Sequence, residues 1–200
     1  MKIICVGRNY VEHIQELENA IPKNPVLFMK PSTAIIQEGS PFNLPDFSSN
    51  IQYECELVLK IGKNGKNIKE ENALEYIEKI GLGIDFTARD LQNNLKEKGL
   101  PWEIAKAFDN SCYLGKFIPF DKNKNYTFKL YENNKIVQNG NSKLMLFSFS
   151  LVLSYISQFF TLEKGDYIFT GTPSGVAKVE KNTELKGELL GKQNFNLQVQ

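Results

Sequence analysis

Ile51-Gln52-Tyr53-Glu54-Cys55-Glu56-Leu57-Val58-Leu59-Lys60-Ile61, ended by the turn Gly62-Lys63-Asn64-Gly65, is the stretch on which the fold turns. Its β-branched, aromatic and aliphatic residues predict a strand. Alternate side chains of a strand share a face, so Tyr53, Cys55, Leu57 and Leu59 point into a core while Glu54 and Glu56 stand side by side on the other face. Two like charges at that spacing repel. Either water solvates them, or a cation or proton between them neutralises the pair.

Outward from this strand, Lys2 to Val6 predicts another, and the loop Gly7-Arg8-Asn9-Tyr10 opens a short helix over Val11 to Leu17. A strand near Val26 to Met29 precedes Pro31, Pro41 and Pro45, whose spacing forbids long regular elements. Glu70 to Ile80 reads as an amphipathic helix, Gly81 to Phe86 as an apolar strand, and Pro101 to Phe108 as a short helix with proline in its first turn. Tyr126 to Glu132 and Lys135 to Gln138 form a hairpin, a helix follows at 144–160, and Asp166 to Thr170 begins a terminal set of strands and turns. Neither strand–helix alternation nor an internal repeat is present. The expected class is therefore mixed α/β and β-rich, a mixed or rolled sheet and not a doubly wound one.

Two hundred residues suffice for one well-buried core and are too few for two ordinary domains, so residues 1–200 are expected to form a single catalytic domain. The 24 basic and 23 acidic residues leave a formal charge of +1, with no long run of one sign, which argues against nucleic acid or an anionic membrane surface as partner. Cys5, Cys55 and Cys112 are odd in number and widely spaced, fitting neither a disulfide scaffold nor a CxxC metal knuckle. The apolar stretch Leu144 to Phe160 carries Ser150, Ser154, Ser157 and Gln158 at helical spacing and reads as a core helix, not a membrane span. Lys2 to Val6 is too short for the apolar part of a signal peptide, so a cytoplasmic location is expected.

Asp85 adds a third carboxylate, in the strand Gly81-Leu82-Gly83-Ile84-Asp85-Phe86-Thr87, which is too apolar to be comfortably solvated. It requires a metal, an arginine or several amide donors. Three carboxylates without a convergent sulfur or imidazole set suit Mg²⁺ or Mn²⁺. Zinc is disfavoured in a chain with one histidine and no paired cysteines. The competing reading of Asp85 is a structural pair with Arg89 or a turn at the strand end.

His13, the single histidine, has Glu16 three residues on, which puts a carboxylate and an imidazole on one helix face. Such a pair fixes the ring tautomer and raises its basicity, as a general base for water requires, although a surface histidine at a helix start has the same spacing. Lys106 lies between alanines in a segment with Trp102 and Phe108. It is either a snorkelling surface lysine or a cation beside an anionic site. Lysine supplies 22 of the 24 basic side chains, so each of the two arginines marks either a place where a planar fork is needed or a structural pair. The turn Thr170-Gly171-Thr172-Pro173-Ser174-Gly175 has amides and hydroxyls suited to a carboxylate and lacks the Gly-Lys-Ser/Thr ending of a phosphate loop.

Taken together, Gly7-Arg8-Asn9-Tyr10 with His13 and Glu16, Phe28-Met29-Lys30-Pro31-Ser32, Tyr53-Glu54-Cys55-Glu56-Leu57, Asp85-Phe86-Thr87-Ala88-Arg89-Asp90 with Gln92, Gly99-Leu100-Pro101-Trp102 with Ala105-Lys106, and Thr170-Gly171-Thr172-Pro173 resemble the fumarylacetoacetate hydrolase family. The match is nearest its short acylpyruvate hydrolase and oxaloacetate decarboxylase branch. The resemblance implies a mixed β-sandwich roll of the family's C-terminal type, a homodimer, and Mg²⁺ or Mn²⁺ on Glu54, Glu56 and Asp85. It also implies a water-activating dyad of His13 and Glu16 on a lid around residues 10–20, an active-site lysine at Lys106, and Arg89, Gln92 and Thr172 around a bound small 2-oxo acid. The implied reaction is cleavage of 3-acylpyruvates to pyruvate and a carboxylic acid, with decarboxylation of oxaloacetate on the same platform. Isomerisation or tautomerisation of 2-oxo and 2-hydroxy-diene dioates is the alternative, followed by a catalytically silent metal-binding module.

Overall fold

Strand β1 (Ile3–Gly7) leads into helix α1 (Val11–Glu16) and returns as β2 (Val26–Lys30). The central stretch forms β3 (Ile51–Tyr53) and β4 (Cys55–Ile61), then β5 (Ile77–Asp85) and β6 (Thr87–Ala88), with helices α2 (Arg89–Glu97) and α3 (Glu103–Lys106) behind them. β7 (Cys112–Leu114) and β8 (Ile118–Pro119) lead to the hairpin β9 (Thr127–Glu132) and β10 (Lys135–Asn141). Helix α4 (Phe149–Phe159) then precedes β11 (Tyr167–Phe169), β12 (Ala177–Lys178), β13 (Glu184–Leu189) and β14 (Lys192–Gln198). These positions come from a computed structural model that describes residues 1–18 and 20–200.

The strands make three sheets: β2-β1-β11-β4-β5-β7 with β8 alongside β5, β10-β9-β13-β14, and the short β12-β3-β6. β1 and β11 are parallel and the other pairs antiparallel, so the expected mixed, strand-rich architecture is what forms. The large sheet is covered on both faces. Cys55, Leu57, Leu59 and Ile61 of β4 enter the larger core with Leu82, Ile84, Leu130, Ile156 and Leu185, while Val58 joins Ile3, Cys5, Cys112 and Phe169 on the opposite side. Period-two alternation in β4 thus sends aliphatic side chains to one face and leaves Glu56 on the other.

The expected helix over Glu70 to Ile80 does not form. A 3₁₀ segment covers Glu70–Tyr76, and Ile77 already belongs to β5. A register shift between Lys60 and Ile61 pairs Ile61 with Ile77 and Lys60 with Lys79, skipping Glu78. That bulge brings Ile77 and Ile80, three residues apart, to buried positions and imitates a helical period. Arg89 to Glu97, given no element from the sequence, is helix α2. Arg89 and Gln92 are buried toward the cleft, while Leu91 and Leu95, about one helical turn apart, pack partly buried against the core. The helix expected over 144–160 begins at Phe149, where the Ser148 hydroxyl caps the Leu151 amide.

The architecture places the carboxylates at a corner. β3 belongs to the small sheet and β4 to the large one, and Glu54 is the residue between them. β5 ends at Asp85 and resumes as β6 after Phe86, crossing between the same two sheets beside it. The Asp85 amide donates to the Glu54 carbonyl at 2.8 Å, which locks the two crossings together. Among the described residues, no helix is long and apolar enough to cross a membrane.

Candidate active site

Glu54, Glu56 and Asp85 are buried, and one carboxylate oxygen from each lies within 4.8 Å of the others. Three carboxylates cannot all stay ionised in such a volume without positive charge, and three cations are built around them. Lys106 Nζ lies 2.8 Å from Glu54 Oε2 and 2.8 Å from Asp85 Oδ2, and donates to Thr87 Oγ1 at 2.6 Å. Arg89 donates to Glu54 Oε1, to Gln52 and to Gln92. Lys30, at the end of β2, places Nζ 2.8 Å from Asp85 Oδ1 and donates to the carbonyls of Lys106 and Ser111. Asp85 therefore pairs with two lysines, and Arg89, its partner in the competing reading, pairs with Glu54 instead.

Burial by itself would raise the pKa of Glu54, but Lys106 and Arg89 outweigh it and hold that carboxyl well below the usual range. Glu56 has no such cation in contact. Burial, then Asp85 and Glu54, push it well above the ordinary value, against the Gly171 amide that donates to Oε2 at 2.7 Å. Burial acts to lower Lys106, and Asp85 and Glu54 overcome it, so the ammonium is reinforced.

The turn after β11 thus cradles a carboxylate of the protein itself. Gly171 sits at φ +97°, and a Cβ there would come within 2.6 Å of Asn9 Cβ, so only glycine brings this amide to Glu56. Thr172 lines the same cleft, but its hydroxyl donates to the Cys55 carbonyl at 2.8 Å and accepts from Gln138 at 2.9 Å. Gln92 gives its carbonyl oxygen to Arg89, which leaves its amide hydrogens as the group available to a ligand.

Helix α1 closes the cleft. His13 is buried, and its Nδ1 is 3.1 Å from Glu16 Oε2. With the proton on Nδ1, Nε2 is the acceptor nitrogen. Glu16 also receives the Gly175 amide at 2.9 Å, and Glu12 the Ser174 hydroxyl at 3.1 Å, so the helix is pinned to the glycine turn by two carboxylates. The expected lid around 10–20 is described except at Asn19, which lies outside the described residues. Glu54, Glu56, His13, Arg89, Gln92, Lys106 and Thr172 all line one narrow cleft of about 40 Å³, and Asp85 lies directly beneath it on Lys106. Arg8, Phe28, Lys96 and Trp102 complete its wall.

Lys30 carries no assigned role from the sequence, and Arg8 carries only the general reading given to both arginines. Lys30 closes the apolar run Val26-Leu27-Phe28-Met29 before Pro31, a spacing shared by many surface lysines. Only the pairing of β2 with β1, and the packing of α3 on it, turns Lys30 inward.

The donor set fits a hard divalent cation. It is made of oxygens alone, close-set and buried, and Asp85 Oδ1, 2.8 Å from the Lys30 ammonium, accepts no hydrogen bond. Acid–base chemistry beside a cation site is the class that this corner of the fold defines.

Residues 2–194 match the family described as Fumarylacetoacetate (FAA) hydrolase C-terminal, and the chain belongs to that family. It is 41% identical over 201 residues to the mitochondrial oxaloacetate tautomerase FAHD1 of Bos taurus, covering 99% of this chain and 91% of the relative. It is also 41% identical over 194 residues to the mitochondrial oxaloacetate decarboxylase of Dictyostelium discoideum, covering 95% and 89%. Among solved structures, fumarylpyruvate hydrolase from Pseudomonas aeruginosa in complex with Mn²⁺ and pyruvate superposes with a TM-score of 0.93 at 35% identity, covering all of this chain and 89% of that one.

Proposed function

We propose that the protein is a divalent-metal-dependent enzyme acting at carbon 3 of short 2-oxo acids, with the keto–enol interconversion of oxaloacetate as its leading reaction. The observation that carries this reading is the opening of His13, backed by Glu16, and of Glu54 and Glu56 of the carboxylate cluster onto one narrow cleft. Glu54, Glu56 and Asp85 would hold Mg²⁺ or Mn²⁺, which when bound supplies Lewis-acid stabilisation to a 2-oxo oxygen and its neighbouring carboxylate. Interconversion moves one proton between carbon 3 and the oxygen on carbon 2. His13 Nε2 takes and returns that proton, and Glu16 holds the ring in the tautomer that leaves Nε2 free to accept it. Lys106 and Arg89 set positive charge beside the oxygen that becomes negative, and the Gln92 amide adds a donor.

The cleft also favours a small substrate. Its volume of about 40 Å³ leaves room for only a few water-sized groups. Hydrolysis of 3-acylpyruvates is the second reading, supported by the pyruvate-bound Pseudomonas relative. In that reaction His13 would activate water for attack on the 4-keto carbon, and pyruvate would leave. The active form is proposed to be a homodimer; light scattering that finds only monomer at assay concentration, with activity intact, would remove that part.

The deciding experiment is a turnover panel of enol-oxaloacetate, oxaloacetate, acetylpyruvate and fumarylpyruvate with Mg²⁺, with Mn²⁺ and with EDTA. Metal-dependent loss of the enol absorbance is the expected leading activity. Saturable metal binding without turnover of any of the four would make the protein a silent metal-binding module and sink the proposal.

A further inference from the structure

Arg8 is one of two arginines in the chain, and its backbone is left-handed, at φ 60°, which non-glycine residues generally avoid. The residues around it enforce that conformation. β1 ends at Gly7, and Asn9 is bolted down on its far side. The Asn9 amide group donates to the carbonyls of Phe147 at 3.1 Å and Thr170 at 2.8 Å, its side-chain oxygen accepts from the Phe147 amide at 2.7 Å, and its own carbonyl accepts from Leu146 at 2.8 Å. A strained residue held this firmly at the wall of a cleft points to a task for its side chain.

That side chain is half-buried in the cleft with Glu54, Glu56 and His13, yet it forms no hydrogen bond or ion pair with a described residue. The cleft's own carboxylates are engaged elsewhere: Glu54 by Arg89 and Lys106, Asp85 by Lys30 and Lys106, Glu56 by the Gly171 amide, and Glu16 by His13 and Gly175. Burial, then Arg8 and Arg89, depress the pKa of Lys96 on the same wall, which places Arg8 at an electropositive mouth. A guanidinium without a protein acceptor presents a planar fork of donors suited to a carboxylate.

We propose that Arg8 is the specificity-determining residue of the site, receiving the second, distal carboxylate of the substrate. The enzyme would thereby select dicarboxylic 2-oxo acids over monocarboxylic ones that share the same 2-oxo acid end. The inference rests on the function proposed above and narrows its substrate class. The 2-oxo acid end faces the three carboxylates and their cation, and the distal carboxylate pairs with Arg8 at the mouth.

The test compares two ligands that differ only at the distal group. In the metal-loaded protein, KM for oxaloacetate and the inhibition constant of 2-oxobutyrate in the same assay are measured for wild type, Arg8→Gln and Arg8→Lys. Wild type is expected to prefer oxaloacetate. Arg8→Gln should reduce that preference by about 10- to 100-fold, the worth of a charge-assisted hydrogen bond, and Arg8→Lys should retain part of it. A parallel weakening of both ligands, or an unchanged ratio in Arg8→Gln, would overturn the assignment. If Arg8→Gln fails to fold, the ratio in Arg8→Lys decides, since loss of the bidentate fork alone should lower it. Turnover of oxaloacetate by a wild type that binds 2-oxobutyrate equally well would remove the Arg8 subsite and leave the proposed function standing. No turnover of oxaloacetate by wild type would remove both.

Discussion

Replacing Lys106 with methionine removes the charge that bridges two of the three carboxylates and keeps much of the side chain's bulk. In the wild type Nζ sits 2.8 Å from Glu54 Oε2 and from Asp85 Oδ2, on a side chain only 4% exposed. Breaking a buried ion pair from one side costs about 3–5 kcal/mol, because the abandoned charge stays buried. Arg89 remains on Glu54 and Lys30 on Asp85, so neither carboxylate is stripped bare, and the lower end, about 3 kcal/mol, is expected. Against a typical stability of roughly 5–15 kcal/mol this is a large loss. It should be greatest in EDTA. Oxygens released by the ammonium become more available to a divalent cation, so Mn²⁺ should stabilise Lys106→Met more than it stabilises wild type. Saturation at about 100 times Kd is itself worth about 2.7 kcal/mol. Urea denaturation of both proteins, in EDTA and at one fixed Mn²⁺ concentration, measures all four stabilities. An identical loss with and without Mn²⁺ would refute the view that Lys106 and the cation share these oxygens.

Asp85→Asn should weaken Mn²⁺ binding in calorimetry by more than the about 10- to 100-fold lost with an outer-shell partner; unchanged affinity would remove Asp85 from the cation site. His13→Ala should lower kcat by about 10²- to 10⁴-fold while Mn²⁺ affinity holds, and Glu16→Ala should show a weaker form of the same defect. Loss of Mn²⁺ binding in His13→Ala would recast the histidine as a ligand. Asp90 ties the start of α2 to the Ser48 hydroxyl at 2.6 Å and the Ser49 amide at 2.9 Å, contacts that lower its pKa despite the opposing effect of burial. Its stabilising contribution is therefore complete above the ordinary value of 3.8 and drains away as pH falls through the lower folded value. Asp90→Asn should accordingly lower the denaturation midpoint at neutral pH, with the gap to wild type closing in strong acid.

What could be read from the chain follows from where local pattern and tertiary structure agree. The alternation from Tyr53 to Leu59 was legible because β4 keeps strict period two, with buried aliphatic residues on one face and Glu56 on the other. The carboxylate cluster was legible because an aspartate in Gly81 to Thr87 has no cheap local explanation. Local pattern misled at Ile77 to Ile80, where a bulge converts two-residue spacing into three, and it left α2 unassigned although Leu91 and Leu95, four residues apart, pack on the core. The cation shell was only partly legible. Lys106 and Arg89 could be named, but their sharing of Glu54, and the inward turn of Lys30, depend on residues more than twenty positions apart meeting at a sheet corner. Thr172 could be placed at the cleft, yet its hydroxyl serves Cys55 and Gln138, which local sequence does not reveal.

Charge balance at that corner leads to a last prediction. Three buried carboxylates face three buried cations, Lys30, Arg89 and Lys106, so the corner is formally neutral when all are ionised. A divalent cation tips it to a surplus of two positive charges. A dianionic chelator restores the balance, so cation and dianion should each strengthen the other's binding, by the same factor in both directions. Oxalate tests this without the complication of turnover. Mn²⁺ affinity measured by calorimetry at saturating oxalate, corrected for oxalate's own Mn²⁺ binding in solution, should rise by something like 5- to 150-fold, the usual range of site-to-site coupling. Lys106→Met, with one positive charge fewer, should show a smaller factor. Equal Mn²⁺ affinities with and without oxalate in wild type would mean that the surplus charge is neutralised by something other than the ligand, and the electrostatic account of why this cleft takes acids would fall with it.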